Sequence, residues 1–212
     1  MPATGVLRML GMLDRRITWR VANTGGNEVF LTFDDGPEPA LTPWVLDTLS
    51  AHGAKATFFC LGRNAERHPQ LIQRLRDEGH AVGHHTWDHP DGWRTPGRAY
   101  RRNVLRGAAQ IGGRLFRPPY GRLPWRSRGL RDRYTVVMWD VLGGDYRPDR
   151  TGAACARLVL RRTRPGSIIV LHDNLKSAPC LREALPRILE GFRHKGYRCI
   201  PLDPVITDQR SR

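Results

Sequence analysis

Lysine is almost missing from this chain. Lys55, Lys176 and Lys195 are the whole set, so arginine carries the formal charge of +15 at neutral pH. A surface of that sign attracts polyanions such as acidic envelope polymers, nucleic acid or anionic lipid. Cysteine is also scarce. Cys60, Cys155, Cys180 and Cys199 form no Cys-x-x-Cys pair, which speaks against a zinc knuckle and a thioredoxin-type site and predicts free, largely buried thiols. No apolar run approaches the ~20 residues needed to cross a bilayer as a helix. There is no Gly-x-Gly-x-x-Gly of a dinucleotide-binding turn. Residues 1–22 lack the pattern of a signal peptide, since Arg8 interrupts their apolar part and Asp14 ends it. On sequence alone that predicts a cytoplasmic chain. Val6, Leu7, Leu10, Leu13 and Ile17 instead fall near helical spacing and predict a short amphipathic extension.

What is present is an alternation of strands and helices. Apolar runs end at Asp34, Cys60, Gly83, Phe116, Trp139, Leu171 and Ile200, which predicts seven strands. Helical segments lie between them, opened by pairs such as Thr42-Pro43 and closed by Gly53, Gly79, Gly112 and Gly196. Residues 64–79 read as one helix. Such alternation means parallel βα units. The expected fold class is α/β, a distorted seven-stranded parallel (β/α) barrel of TIM type.

The polar oddities all follow strands. Asp34 and Asp35 close the first, in Val29-Phe30-Leu31-Thr32-Phe33-Asp34-Asp35-Gly36-Pro37. His84, His85 and His89 follow the third, Arg117 and Tyr120 the fourth, Asp140 and Asp145 the fifth, and His172 and Asp173 the sixth. Parallel folds keep their active sites at that rim. Two adjacent carboxylates repel and call for a cation. His85 and His89, four apart, put two imidazoles within reach of one metal. With Asp35 added, the set is two nitrogens and one oxygen with positions left open, which suits catalytic Zn²⁺ and, on ligands alone, Fe²⁺.

In order, Thr32-Phe33-Asp34-Asp35-Gly36-Pro37, His85-Thr86-Trp87-Asp88-His89, Arg117-Pro118-Pro119-Tyr120-Gly121, Asp145-Tyr146 and Val170-Leu171-His172 resemble the five motifs of the polysaccharide deacetylases. This is carbohydrate esterase family four, whose members include chitin and peptidoglycan deacetylases and acetylxylan esterases. The resemblance runs from about Glu28 to Pro201. It implies a deacetylase domain over 23–204, after the helical extension of 1–22 and before a polar tail of 205–212. It implies that Asp35, His85 and His89 hold Zn²⁺ or another divalent ion such as Co²⁺. Asp34 would be the general base, Arg117 its partner and His172 the general acid oriented by Asp145. Tyr120 would offer its backbone N–H to the oxyanion. The implied substrate is an acetylated polysaccharide or oligosaccharide, which shifts the expected compartment to the envelope or the exterior. The basic surface would then meet acidic envelope polymers, and nucleic acid is not the expected partner. Three positions depart from the pattern. His84 stands for the usual Asn, Tyr146 for the usual Trp and Val170 for the usual Leu, the last two in the acetyl pocket of relatives.

Two competing readings share these residues. One is an O-acetyl esterase on the same site. The other is a basic non-catalytic protein that grips polyanions. A ferrous oxygenase would fit the ligands, but the βα alternation argues against the double-stranded β-helix such enzymes use.

Overall fold

The computed structural model describes residues 17–22, 26–124 and 127–202. Among them, nine strands form one sheet. They are β1 Ile17–Thr18, β2 Glu28–Asp34, β3 Thr57–Cys60, β4 Ala81–His84, β5 Leu115–Phe116, β6 Thr135–Val137, β7 Val141–Leu142, β8 Ile168–His172 and β9 Arg198–Cys199. The order is β1-β6-β5-β4-β3-β2-β8-β7, with β9 beside the start of β2, and every ladder is parallel. Helices α1 Thr42–Ala51, α2 Gly62–Arg67, α3 Pro69–Asp77, α4 Gly97–Ile111, α5 Arg128–Arg133, α6 Gly152–Arg162 and α7 Ala178–His194 connect them. This is the α/β barrel architecture that the alternation predicts, curled and distorted.

β2 is central, and all seven of its residues are buried. That is what a parallel strand covered on both faces requires. Its side chains alternate. Val29, Leu31 and Phe33 join the large outer core under the helices, and Phe30 joins a smaller inner cluster with Phe59, Leu115, Val137 and Ile168. Thr32 and Asp34 share the parity of Phe30, so the strand delivers a carboxylate to the barrel mouth.

Several elements differ from expectation. The fifth strand is split in two. β6 pairs with β5 and β1, while β7 pairs with β8. The helix expected over 64–79 breaks at His68–Pro69, because Pro69 has no N–H to continue it. Ile17, read as the last residue of an amphipathic helix, is in β1, paired with Val136. The rest of that helix and the tail of 205–212 lie outside the described residues. Arg20 bridges Ser167, and the Val21 N–H bonds the Gly166 carbonyl at 3.0 Å. The segment from Ile17 to Val21 thus links β6 to the start of β8.

Candidate active site

The rim after β2 and β4 holds a compact donor set. One ligand atom from each of Asp35, His85 and His89 lies within 4.8 Å of the others. Asp35 Oδ1 is 3.3 Å from His89 Nε2 and 3.7 Å from His85 Nε2, and it is buried without a hydrogen-bond partner. The tautomer of His85 follows from its neighbour. Its Nδ1 sits 2.7 Å from the Arg117 carbonyl, which can only accept, so Nδ1 carries the proton. Burial first, then the neighbouring His89, lowers the ring pKa to about 3. The ring is therefore neutral, and Nε2 turns a bare lone pair towards a bare carboxylate oxygen. Two acceptors facing each other in a buried site fit a cation between them. Donors about 2.0–2.2 Å from a tetrahedral zinc stand roughly 3.3–3.6 Å apart, close to the spacings here.

The backbone is bent to bring these donors together. Among the described residues, four non-glycine positions have left-handed φ: Asp35 at 79°, Thr86 at 69°, His89 at 69° and Tyr120 at 58°. All four belong to this rim. Such conformations cost of order 1–3 kcal/mol each and cluster at functional sites. The Thr86 hydroxyl accepts from the His89 N–H at 3.1 Å, and Asn103 Oδ1 accepts from the Trp87 N–H at 2.8 Å. Gly107 lets α4 pass against the Thr86 backbone, where a Cβ would fall 2.5 Å from its carbonyl.

Polar groups flank the donors on two sides. Arg117 is fully buried inside the barrel mouth. Its Nη1 donates to Asp34 Oδ1 at 2.7 Å and to the Thr32 hydroxyl at 2.6 Å. Its other nitrogens donate to the Val137 and Met138 carbonyls at 3.2 and 3.0 Å. Burial pulls its pKa down, and the Asp34 charge opposes that. Every bond therefore fixes the planar fork in one pose. On the other side, His172 stands beside Asp34 in the β2–β8 register. Its Nδ1 is 2.9 Å from Asp145 Oδ1, and its backbone N–H donates to Asp145 Oδ2 at 2.7 Å. Burial disfavours the charged ring. The Asp145 hydrogen bond and charge, with Asp34 and Asp35 nearby, outweigh it and raise the pKa to about 9. Tyr120 sits in the turn Pro119–Gly121, its ring 4.6 Å from that of His89. The turn's own bonds run from Gly121 to Pro118 and from Arg122 to Pro119, leaving the Tyr120 N–H outside them.

All eight residues singled out in the sequence thus converge. Two neighbours do not. Asp140 accepts from Ser167 Oγ at 2.9 Å and from the Ile168 N–H at 2.8 Å, at the amino end of β8, because the split fifth strand turns it away. His84 points to the opposite face from His85 and is buried between the rings of Phe116 and Tyr134, its nitrogens unbonded. Burial holds its pKa near 3. Two residues escape the sequence reading, and Asp173, already placed at the rim by its position after a strand, gains a role. Asn174 Nδ2 donates to Asp35 Oδ2 at 2.7 Å, and Asn64 Nδ2 donates to the Asp35 carbonyl at 2.9 Å. Asp173 takes the Gly36 N–H at 3.1 Å and the Thr42 hydroxyl at 2.6 Å, so it holds the turn that follows Asp35.

The chain is 33% identical over 201 residues to a peptidoglycan-N-acetylglucosamine deacetylase of Bacillus cereus, covering 87% of this chain and 70% of that one. It is 41% identical to a chitooligosaccharide deacetylase of Sinorhizobium fredii, covering 89% of each. A crystal structure of a peptidoglycan N-acetylglucosamine deacetylase superposes with a TM-score of 0.83 at 30% identity, over 90% of this chain and 92% of that one. The sequence profile for "Polysaccharide deacetylase" matches residues 22–138, the span that contains the Asp-Asp pair, His85, His89 and Arg117. On these grounds the chain belongs to the polysaccharide deacetylase family.

Proposed function

We propose that this protein is a metal-dependent hydrolase that removes acetyl groups from N-acetylglucosamine-containing glycans. One observation carries the reading: an unpartnered Asp35 oxygen facing two histidine nitrogens, with a carboxylate–arginine pair on one flank and a histidine–carboxylate pair on the other. The names of the Bacillus and Sinorhizobium relatives support the substrate class.

An acetamide is a weak electrophile with a poor leaving group. A divalent cation held by Asp35, His85 and His89 would supply Lewis acidity, polarising the acetyl carbonyl and acidifying water. Asp34 takes the proton from the attacking water, and Arg117 fixes the carboxylate that receives it. The Tyr120 N–H donates to the oxygen on which charge develops, and loss of one such donor costs about 3 kcal/mol. Collapse needs a proton on the departing nitrogen. His172 is protonated below about pH 9, and Asp145 both aims the ring and keeps it charged. An ester oxygen needs that proton less than an amide nitrogen does, so the strongly held acid favours N-acetyl over O-acetyl substrates.

The rim offers a surface for the sugar. Trp93, Tyr120 and Leu175 are the exposed large hydrophobic side chains among the described residues, and all three follow strand ends at this rim. The Arg122 guanidinium lies 4.8 Å from the Trp93 ring and 5.6 Å from the Tyr120 ring, joining them into one platform. The deciding experiment measures acetate release from chitooligosaccharide, N-acetylated peptidoglycan and acetylated xylan, after chelation and with Zn²⁺ or Co²⁺ restored. Release from the N-acetyl substrates that disappears on chelation and returns with metal is expected. Faster release from xylan would overturn the N-acetyl assignment, and release unaffected by chelation would overturn the metal.

A further inference from the structure

Positive charge is not spread evenly over this chain. The forty residues from Arg94 to Arg133 hold twelve arginines, no lysine and a single acid, Asp132. A general preference for arginine would replace lysine everywhere. It would not clear acids from one stretch while nineteen of the twenty fall elsewhere.

That stretch builds one sector of the barrel, comprising α4, β5, the Pro119–Gly121 turn and α5. Two of its arginines serve the interior and the rim: Arg117 pairs with Asp34 and Arg122 with Asp91. On α4 the buried face is Tyr100, Val104, Gly107 and Ile111, and Arg98, Arg101, Arg102 and Arg106 are exposed. They span about 12 Å of helix. Beside them, between α4 and the foot of β6, opens a groove of about 630 Å³ with Leu105 and Ala108 on its floor and exposed Arg114 and Arg133 on its walls.

We propose that α4 and this groove form a docking face for a flexible polymer of repeating phosphate groups, separate from the acetyl-removing site. The charge explains the attraction. Side chains that are missing from the face narrow the partner. Base recognition on single strands uses exposed aromatic rings, and insertion into a bilayer uses exposed apolar ones. Along α4 and α5, no large apolar side chain is exposed among the described residues, and Tyr134, the aromatic residue that lines the groove, is only 4% exposed. A polymer with neither bases nor acyl chains needs only what this face has: several guanidinium groups and a trough to lie in. Bound there, the enzyme stays within a matrix that carries such a polymer, which raises its effective concentration near any substrate in that matrix.

The test uses the full chain with long inorganic polyphosphate as probe, poly(dT) and phosphatidylglycerol vesicles as competing classes, and titrations at several salt concentrations. In one variant Arg98, Arg101 and Arg102 of α4 and Arg114 of the groove wall are each changed to Gln, leaving Arg106, which stacks on Trp87 in the His85–His89 loop. A control variant changes Arg157, Arg161, Arg162 and Arg193, exposed on α6 and α7, to Gln. Each arginine that displaces a counterion contributes about 0.7 to the log–log salt slope, so this set should flatten it by roughly 3, which makes the loss of affinity between about 50 and 200 mM salt roughly 50-fold smaller. The control should leave polyphosphate binding near wild type, and acetate release from uncharged chitooligosaccharide should persist in both. Equal losses in the two variants would reduce the effect to net charge and overturn the face. Binding of poly(dT) or vesicles as tight as polyphosphate, and as dependent on α4, would overturn the polymer class. Should the fourfold variant fail to fold, Arg102→Glu alone reads the same effect, with a loss of several-fold expected and no loss overturning the proposal. None of these outcomes depends on the deacetylase reading, which stands or falls on the acetate-release measurements given above.

Discussion

At the scale of single residues, the site works through pairs, and each pair predicts a different failure. His172 owes its raised pKa to Asp145. A histidine acts as acid only below its pKa, so amide turnover should fall as pH rises through about 9. In Asp145→Asn only one of the two acceptor oxygens is kept and the charge is gone, so the alkaline limb of kcat/KM should move down from about 9 towards 6.5, the ordinary histidine value. Linkage has the same sign: the raised pKa stabilises the fold fully below pH 6.5, and that contribution is lost as pH climbs through about 9. His172→Ala should harm amide substrates far more than activated acetyl esters in steady-state assays, and equal losses would remove its role as acid. Arg117 predicts a fold defect as well. Arg117→Met strands a buried carboxylate and should cost about 3–5 kcal/mol in urea melts. The motif residues were legible in the sequence because an aspartate or histidine at the end of an apolar run is out of place there. Asn64 and Asn174 were not, since a single polar residue in a loop carries no such mark, and Asp173 was legible in its place after a strand but not in its partners. Their roles arise only when loops far apart in sequence meet around Asp35 and Gly36.

At the scale of elements, the most constrained piece is the loop from His85 to His89 pressed on α4. The long buried strands and the amphipathic helices were readable from periodicity. Pieces of two or three residues were not, because β1 and β7 are too short to show alternation and exist only through their partners Val136, Val137, Ile169 and Val170. Asp140 was misplaced for the same reason. An unbroken fifth strand would have carried it to the rim, but the split leaves it bonded at the foot of β8. The contact of loop and helix was equally hidden, since Gly107 reads only as a weak spot in a helix. Its importance comes from the Thr86 backbone, which leaves no room for a Cβ. Gly107→Ala should therefore destabilise the protein by about 1–3 kcal/mol, although alanine favours helices. The displaced loop should also weaken zinc binding in a competition titration. A stabilised protein with unchanged zinc affinity would show that the contact is loose.

At the scale of the whole molecule, the donor set acts as a clasp. Asp35 follows β2, His85 and His89 follow β4, and β3 lies between those strands. The three donors thus join loops that no ladder pairs directly, against the mutual repulsion of bare acceptors. Without a cation the repulsion should loosen the rim, and with one the folded state gains a ligand that the unfolded chain holds poorly. At a free metal concentration about 100 times Kd, that gain is about 2.7 kcal/mol. For a domain of this size each kcal/mol moves Tm by about 2–4 °C, so chelation should lower Tm by roughly 5–10 °C. The dependence should belong to the three donors and not to Asp34 or His172 beside them. His89→Ala should melt at one temperature with or without zinc, whereas Asp34→Asn, inactive in acetate release, should keep the full shift. Differential scanning calorimetry on the three proteins with zinc and with EDTA separates the cases. A chelation shift that survives in His89→Ala would place the stabilising ion elsewhere in the barrel.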